Sequence, residues 1–233
     1  MSRIIKAARV EKQLVDEGEL ALINAQALTP RTADGLFAFR LCACDNQVDR
    51  DIERFTERTL DQLAELFVGK PVLRDHNWSA NSQTARVYAA GVEAQDGVKR
   101  LILRAYMPRS SRTANTITDI EAGILREASV GVAVRQALCS VCGEDYHHCS
   151  HGRGQEYDGK TCHVDLDDAL DAFEVSFVAV PAQPGAGVVK RYEAKEKELN
   201  LEPRPEESGP EHDPAFRMAQ ALQELEEKRY GGM

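Results

Sequence analysis

No stretch of this 233-residue chain approaches the roughly 18 consecutive apolar residues that a membrane-spanning helix needs. Residues 1–14 are also interrupted by charged side chains, among them Arg3, Lys6 and Arg9, so they lack the hydrophobic core of a secretory signal peptide. We therefore predict a protein that stays in the cytoplasm and has no membrane partner.

Clusters of lysine and arginine are missing as well. The chain has 38 acidic and 29 basic residues, which gives a net charge of −9 at pH 7. Contacts to nucleic-acid phosphates need concentrated basic side chains, so this balance argues against nucleic acid as a partner. With 42% hydrophobic and 29% charged residues, the composition is globular, with one domain of about 150 to 200 residues and an appendage, or two small domains.

Six apolar stretches bounded by turn residues predict the strands of a strand-rich α+β fold. Asp96-Gly97 has the sequence of a tight hairpin turn. The last two stretches are apolar at most positions, which is typical of strands buried on both faces. The predicted strands are 20–27, 36–44, 84–92, 98–106, 128–137 and 173–180.

Two helices are predicted between these strands. The first begins at a capping threonine, Thr56 or Thr59, and ends at Gly69. The second begins near residues 110–111 and ends soon after Gly123, which weakens it. The inward face of the second helix carries Ala114, Ile117, Ile120 and Ile124.

Composition divides the chain into three parts. Residues 1–18 form an N-terminal segment, and residues 19–190 form the main domain with a Cys/His-rich insertion at 138–165. Residues 191–233 form a disordered Pro/Glu-rich linker, which holds four of the nine prolines, followed by an amphipathic helix. Asp213 and Pro214 begin that helix, and its apolar stripe is Met218, Ala219, Leu222 and Leu225.

The insertion has the ligand spacing of a zinc site. It contains Cys139-x-x-Cys142, then Cys149-x-His151, then Cys162. We predict that Cys139, Cys142, Cys162 and either Cys149 or His151 hold a zinc ion. Four such ligands close the coordination shell, so the zinc is structural, whereas a zinc hydrolase needs an open position.

The alternative for the insertion is a set of reduced cysteines with no metal. The other two cysteines, Cys42 and Cys44, lie on one face of a predicted strand, where we expect them to be small core residues.

Ser129 lies in a strand that has one face made only of small residues. Side chains alternate along a strand, so Ser129 shares its face with Gly131 and Ala133. Such a face leaves room for the backbone of a substrate beside the hydroxyl. The alternative is close packing against another sheet or a helix, with Ser129 hydrogen-bonded locally.

Glu174 and His76 could complete a catalytic group with this serine. Alternation places Phe173, Val175 and Phe177 on the core face of their strand, so Glu174 points the other way. His76 ends an extended apolar segment. An imidazole can take a proton from a serine hydroxyl, and a carboxylate fixes the tautomer of that imidazole. The alternatives are a solvent-facing glutamate and a surface histidine.

Four segments resemble the prohead maturation serine proteases of tailed bacteriophages, which are relatives in fold of the herpesvirus assemblins. The resemblance covers about residues 38–189, and the sequence has no Gly-x-Ser-x-Gly motif that would indicate an α/β-hydrolase instead. The segments are residues 46–51, residues 69–76 ending in His76, Ala128-Ser129-Val130-Gly131, and residues 173–182 beginning Phe173-Glu174-Val175-Ser176.

This resemblance implies a closed, antiparallel-type β-barrel flanked by helices, with residues 19–190 as the protease domain. It implies His76 as general base, Ser129 as nucleophile and Glu174 as third member, with Asp171 and Ser176 as fallback candidates because the insertion lengthens the separation. The oxyanion donor stays open between the backbone near Gly131 and the guanidinium groups of Arg126 and Arg135.

The resemblance also implies the biological setting. The substrates would be scaffold and capsid-protein segments, and afterwards the protease itself, inside a prohead assembling in the host cytoplasm. The sequence leaves open whether the protein is a homo-oligomer. The alternative from another functional class is a non-catalytic, zinc-stabilised assembly or scaffold-docking protein.

Overall fold

The computed structural model describes residues 15–183 and 186–188. All of them lie in the first of two units, residues 1–192. Residues 1–14 of the predicted N-terminal segment, and the predicted linker and helix at 191–233, lie outside the described residues.

The described residues form a strand-rich α+β fold. The helices are α1 (Glu17–Asn24), α2 (Glu57–Leu66) and α3 (Ala114–Glu121). The strands are β1 (Leu36–Asp45), β2 (Glu53–Phe55), β3 (Pro71–Arg74), β4 (Ala85–Gln95), β5 (Val98–Pro108), β6 (Ala128–Cys139), β7 (Glu156–Tyr157), β8 (Lys160–Thr161), β9 (Val164–Phe177) and β10 (Gly187–Val188). No helix among the described residues combines the length and apolar content that crossing a bilayer requires.

Eight strands form one mixed, open sheet. Its order is β10-β1-β5-β4-β3-β9-β2, with β6 paired to β9, and β7 pairs with β8 separately. The expected closed antiparallel barrel is therefore not found among the described residues. Strand β9 runs parallel to both β2 and β3, and one isolated bridge, Glu127 to Gly187, links the β10 end of the sheet to the start of β6.

Residues 20–27 do not form the predicted strand, because they belong largely to helix α1 and the turn after it. The side chain of Asp16 accepts a hydrogen bond from the backbone N–H of Glu19 and caps the helix. Ile23 is buried, so this short helix packs against the sheet with one apolar face.

Local signals elsewhere predict the structure correctly. Thr56 caps α2 by accepting from the backbone N–H of Thr59, and Leu60 and Leu63 are fully buried. Asp96 and Gly97 have φ of 54° and 76°, as the two central residues of a hairpin turn between β4 and β5 require.

Helix α3 needs a small correction, whereas the first strand does not. Ile117 and Ile120 are buried as predicted, but the helix spans only Ala114–Glu121, and both Ala114 and Ile124 are exposed, the latter to 69%. In β1, both Cys42 and Cys44 are buried core residues, as predicted.

Strand β9 lies beside β6 and is interrupted by two bulges. Gly131 pairs with Glu174 and Val132 with Ala172, which leaves Phe173 as an extra residue. The second bulge lies between the pairs Ala133–Asp171 and Val134–Ala169, and it leaves Leu170 unpaired. Both side chains turn outward, with Phe173 38% exposed and Leu170 53% exposed, so the prediction that Phe173 faces the core is wrong.

Candidate functional site

The candidate catalytic residues come from three adjacent strands. The end of β9 lies between β3, which pairs in parallel through Val72 to Arg74, and β6, which pairs antiparallel. His76 follows the last residue of β3 by two positions, and Glu174 lies in the paired part of β9. Residues far apart in the sequence therefore meet at one end of the sheet.

The structure brings His76 and Glu174 into direct contact. Nδ1 of His76 lies 2.7 Å from Oε1 of Glu174, and the carboxylate is only 2% exposed. The hydroxyl of Ser176 donates to the other carboxylate oxygen, Oε2, at 2.5 Å. A buried carboxylate is costly unless it is hydrogen-bonded, and here both oxygens have a partner.

This contact determines which ring nitrogen of His76 carries the proton. An ionised carboxylate can only accept, so Nδ1 donates to Glu174 and the neutral ring leaves Nε2 as an acceptor. The imidazole side chain is 41% exposed, and its Nε2 has no hydrogen bond to any described residue. The ring is therefore half-exposed and held by the carboxylate through Nδ1.

A tight turn with left-handed backbone holds the histidine. Asp75 and His76 have φ of 53° and 50°, and the N–H of Asn77 closes the turn on the carbonyl of Arg74 at 3.0 Å. The N–H of His76 donates to the hydroxyl of Ser176 at 3.1 Å. Such strained conformations persist where surrounding contacts hold them, and they cluster at functional sites.

Gly131 provides the space that Glu174 occupies. A Cβ at position 131 would lie within 3.0 Å of Oε1 of Glu174, closer than real Cβ atoms come. Gly131 is the direct cross-strand partner of Glu174 in the β6–β9 ladder. The absence of a side chain at this position is therefore a steric requirement of the buried carboxylate.

Ser129 lies beside this group without a hydrogen bond to it. Its cross-strand partner is Ser176, the residue that contacts both Glu174 and the backbone of His76. Directly opposed residues have Cβ atoms about 4.5 to 5.5 Å apart and share a face of the sheet. The Ser129 side chain is partly buried, and its hydroxyl has no hydrogen-bond partner among the described residues.

Neither fallback candidate for the third member hydrogen-bonds to the His76 ring in the described part of the chain. Asp171 accepts from Nζ of Lys70 at 3.1 Å, and Ser176 is completely buried beneath the His76 turn. The two arginines considered for the oxyanion are each paired with a neighbouring carboxylate, Arg126 with Glu127 and Arg135 with Asp168.

The second site is a group of three cysteines and one histidine. One ligand atom from each of Cys139, Cys142, Cys149 and His151 lies within 4.8 Å of the others. Zinc–sulfur bonds of about 2.3 Å in a tetrahedron place sulfur atoms about 3.8 Å apart, which this group can meet. The cluster could therefore hold a metal ion such as zinc.

His151 carries the strongest sign that a ligand is needed. Its Nδ1 is buried and has no hydrogen-bond partner in the described part of the chain, although its ring packs edge-on against Tyr157 at 4.5 Å. A metal would satisfy this orphaned nitrogen. Both Cys149 and His151 belong to the group, whereas Cys162 lies outside it, with its Sγ 3.7 Å from Sγ of Cys139.

The turn after β6 prepares Cys139 as a thiolate. Burial alone would raise the pKa of Cys139. Hydrogen bonds from the backbone N–H groups of Cys142 and Val141 outweigh burial and lower this pKa to about 6. Gly143, with φ of 76°, closes the turn by donating to the carbonyl of Cys139 at 2.8 Å.

The two sites lie at opposite ends of the same ladder. Ser129 and Cys139 are ten residues apart on β6, and a strand rises about 3.3 Å per residue, which gives about 33 Å. A metal bound in the cluster would therefore lie far from His76.

Comparison with protein-family models, with curated proteins and with solved structures found no match to this chain.

Sequence reasoning missed the double role of Ser176, which it considered only as a substitute for Glu174. The available signal was the strand alternation, which puts Ser176 on the same face as Glu174. It also missed Trp78, which is 69% exposed and packs against Phe173 with ring centroids 5.5 Å apart.

Proposed function

We propose that this protein is a serine endopeptidase in which Ser129 is the nucleophile, His76 the general base and Glu174 the residue that orients the base. The contact between Nδ1 of His76 and the buried carboxylate of Glu174 carries this proposal, because it is the arrangement that a serine-activating imidazole needs. The Nε2 of this half-exposed imidazole is left to act on a hydroxyl.

The proposed reaction proceeds through an acyl-enzyme. Nε2 of His76 takes the proton from Oγ of Ser129 as that oxygen attacks the peptide carbonyl carbon, and the C–N bond breaks as the same Nε2 returns the proton to the leaving amine. A water then repeats the sequence and releases Ser129. Glu174 stabilises the imidazolium in both halves.

Ser129 has no hydrogen bond to His76 and must approach it when a substrate binds. It is directly opposite Ser176, and catalytic hydrogen bonds are often long before a substrate binds. Because Glu174 fills the space beside Gly131, the extended peptide is placed at the edge of β6 away from β9, where it adds as a further strand.

The substrate class comes from the motif resemblance. On that basis we propose that the protease acts in prohead maturation, on scaffold and capsid-protein segments and on itself, inside a prohead assembling in the host cytoplasm. The zinc proposed for the Cys/His cluster has a structural role, because four ligands fill the tetrahedron and the site lies far from His76.

The test is labelling with a fluorophosphonate, with the modified peptide identified by mass spectrometry. We expect the probe on Ser129 in the full chain and in the control Ser111→Ala, whose serine is exposed, and no labelling in Ser129→Ala. Co-expression with scaffold and capsid proteins should give processed products except with Ser129→Ala.

A different result would favour the non-catalytic assembly protein. In that case the probe does not label Ser129, and Ser129→Ala and His76→Gln leave assembly unchanged. Equal processing by the unmodified chain and by Ser129→Ala would show that Ser129 is not the nucleophile.

A further inference from the structure

We propose that Trp78 and Phe173 form a subsite that binds an apolar side chain of the cleaved peptide, a few residues from the scissile bond. This inference rests on the proposed function and names a determinant of its substrate class. The two residues are called the aromatic pair below.

The bulge in β9 creates one half of the aromatic pair. Regular alternation would direct Phe173 to the same side as Val175, which is fully buried. Because Phe173 is the extra residue of the bulge, it instead turns outward and is 38% exposed. Bulges re-aim side chains next to active sites, and this one immediately precedes Glu174.

The turn after β3 creates the other half. Trp78 follows His76 by two residues, and its ring packs against Phe173 with an interplanar angle of 48°. It nevertheless remains 69% exposed. Trp78 therefore covers Phe173 only in part, and a sizeable aromatic surface faces solvent.

Chain geometry keeps the aromatic pair close to the proposed catalytic residues. Consecutive Cα atoms are about 3.8 Å apart, so the Cα of Trp78 is at most about 7.6 Å from that of His76, and Phe173 is the immediate neighbour of Glu174. An extended peptide advances about 3.3 Å per residue. A side chain two or three residues from the attacked carbonyl can therefore reach the rings.

The size of the patch favours a peptide side chain over a second copy of the chain. Two partly exposed rings offer far less than the roughly 800 Å² per partner that a stable protein interface buries. A single leucine, methionine or phenylalanine side chain is well matched to them.

Digestion of unfolded β-casein tests the proposal. Cleavage sites mapped by mass spectrometry should show an apolar residue enriched at one fixed position within about three residues of the cut. We expect Trp78→Ala and Phe173→Ala to abolish that enrichment and to lower kcat/KM at apolar sites about 10-fold. Trp78→Phe should retain most of the preference.

Two comparisons make the result decisive. Leu28→Ala removes a fully exposed apolar side chain elsewhere and should leave the profile unchanged. The rate of fluorophosphonate labelling of Ser129 measures the condition of the catalytic group, and the loss with casein should exceed any loss of labelling about 10-fold.

Several results would overturn the subsite. These are a cleavage profile that keeps its apolar preference in both alanine variants, a loss of labelling as large as the loss with casein, or a pair that mediates concentration-dependent dimerisation of the full chain. Absence of labelling in the unmodified protein would instead reject the proposed function itself.

Discussion

The two ends of the β6–β9 ladder differ in whether their buried polar atoms have hydrogen-bond partners within the protein. At the His76 end, both oxygens of Glu174 find partners inside the protein. At the other end, Nδ1 of His151 is buried with no partner among the described residues. At the first site protein groups satisfy the buried carboxylate, whereas at the second a bound cation would satisfy the orphaned nitrogen.

The largest expected effect comes from removing the metal that we propose for the Cys/His cluster. Zinc binding stabilises small metal modules by about 10 kcal/mol or more. Chelation, or Cys142→Ser, should therefore unfold residues 139–163, measured as rapid amide hydrogen exchange in that segment. Cys42→Ala removes a buried thiol outside the cluster and should leave one bound zinc per chain. Slow exchange after complete metal removal would show that the insertion folds without a metal.

Glu174→Gln should have the next largest effect, a loss of about 10⁴-fold in kcat, because an amide cannot hold the histidine in the tautomer that the reaction needs. Initial rates on β-casein measure it. The control is Glu121→Gln, at an exposed position on α3. A loss below about 10-fold would mean that Glu174 only supports the fold.

Gly131→Ala should lower kcat about 100-fold, because the added Cβ displaces Oε1 of Glu174 and with it the imidazole. The same change at Gly91, which has open space around it on β4, should leave the rate unchanged. Equal rates in the two variants would show that the carboxylate can move without consequence.

The smallest effect tests whether the two ends are independent. Ser176→Ala removes the hydrogen bond to Glu174 and the acceptor of the His76 N–H, and should destabilise the protein by about 1 to 3 kcal/mol. In the double variant with Cys142→Ser, the two changes in the free energy of unfolding should add within about 0.5 kcal/mol, because the sites are far apart. A larger coupling energy from urea unfolding would show that β9 transmits strain between them.

The Cys/His end of the ladder could be predicted from the sequence more fully than the His76 end. Cys139, Cys142, Cys149 and His151 lie within thirteen residues, so spacing alone pointed to a metal cluster. Local rules also predicted the Asp96-Gly97 hairpin and the capped helix α2. These features depend on neighbours in the chain, and such interactions can be seen in a pattern.

Features that depend on pairing between strands far apart in the chain were harder to predict from the sequence. The parallel pairing of β9 with β2 and β3 makes the sheet mixed and open, and no short pattern encodes it. The bulge that turns Phe173 outward breaks alternation without a sequence signal. Helix α1 did have a signal, since Asp16 followed by Glu19 is an N-terminal capping pattern, but the apolar run after it favoured a strand.

Trp78 is the chain's single tryptophan, and that gives the molecule an intrinsic optical reporter. Its indole emission comes from one known place, two residues from His76, so no dye has to be attached. Unfolding followed by this emission registers the environment of the histidine turn, while far-ultraviolet circular dichroism registers the sheet as a whole. A difference between the two unfolding curves would measure how much of the histidine turn unfolds before the sheet does.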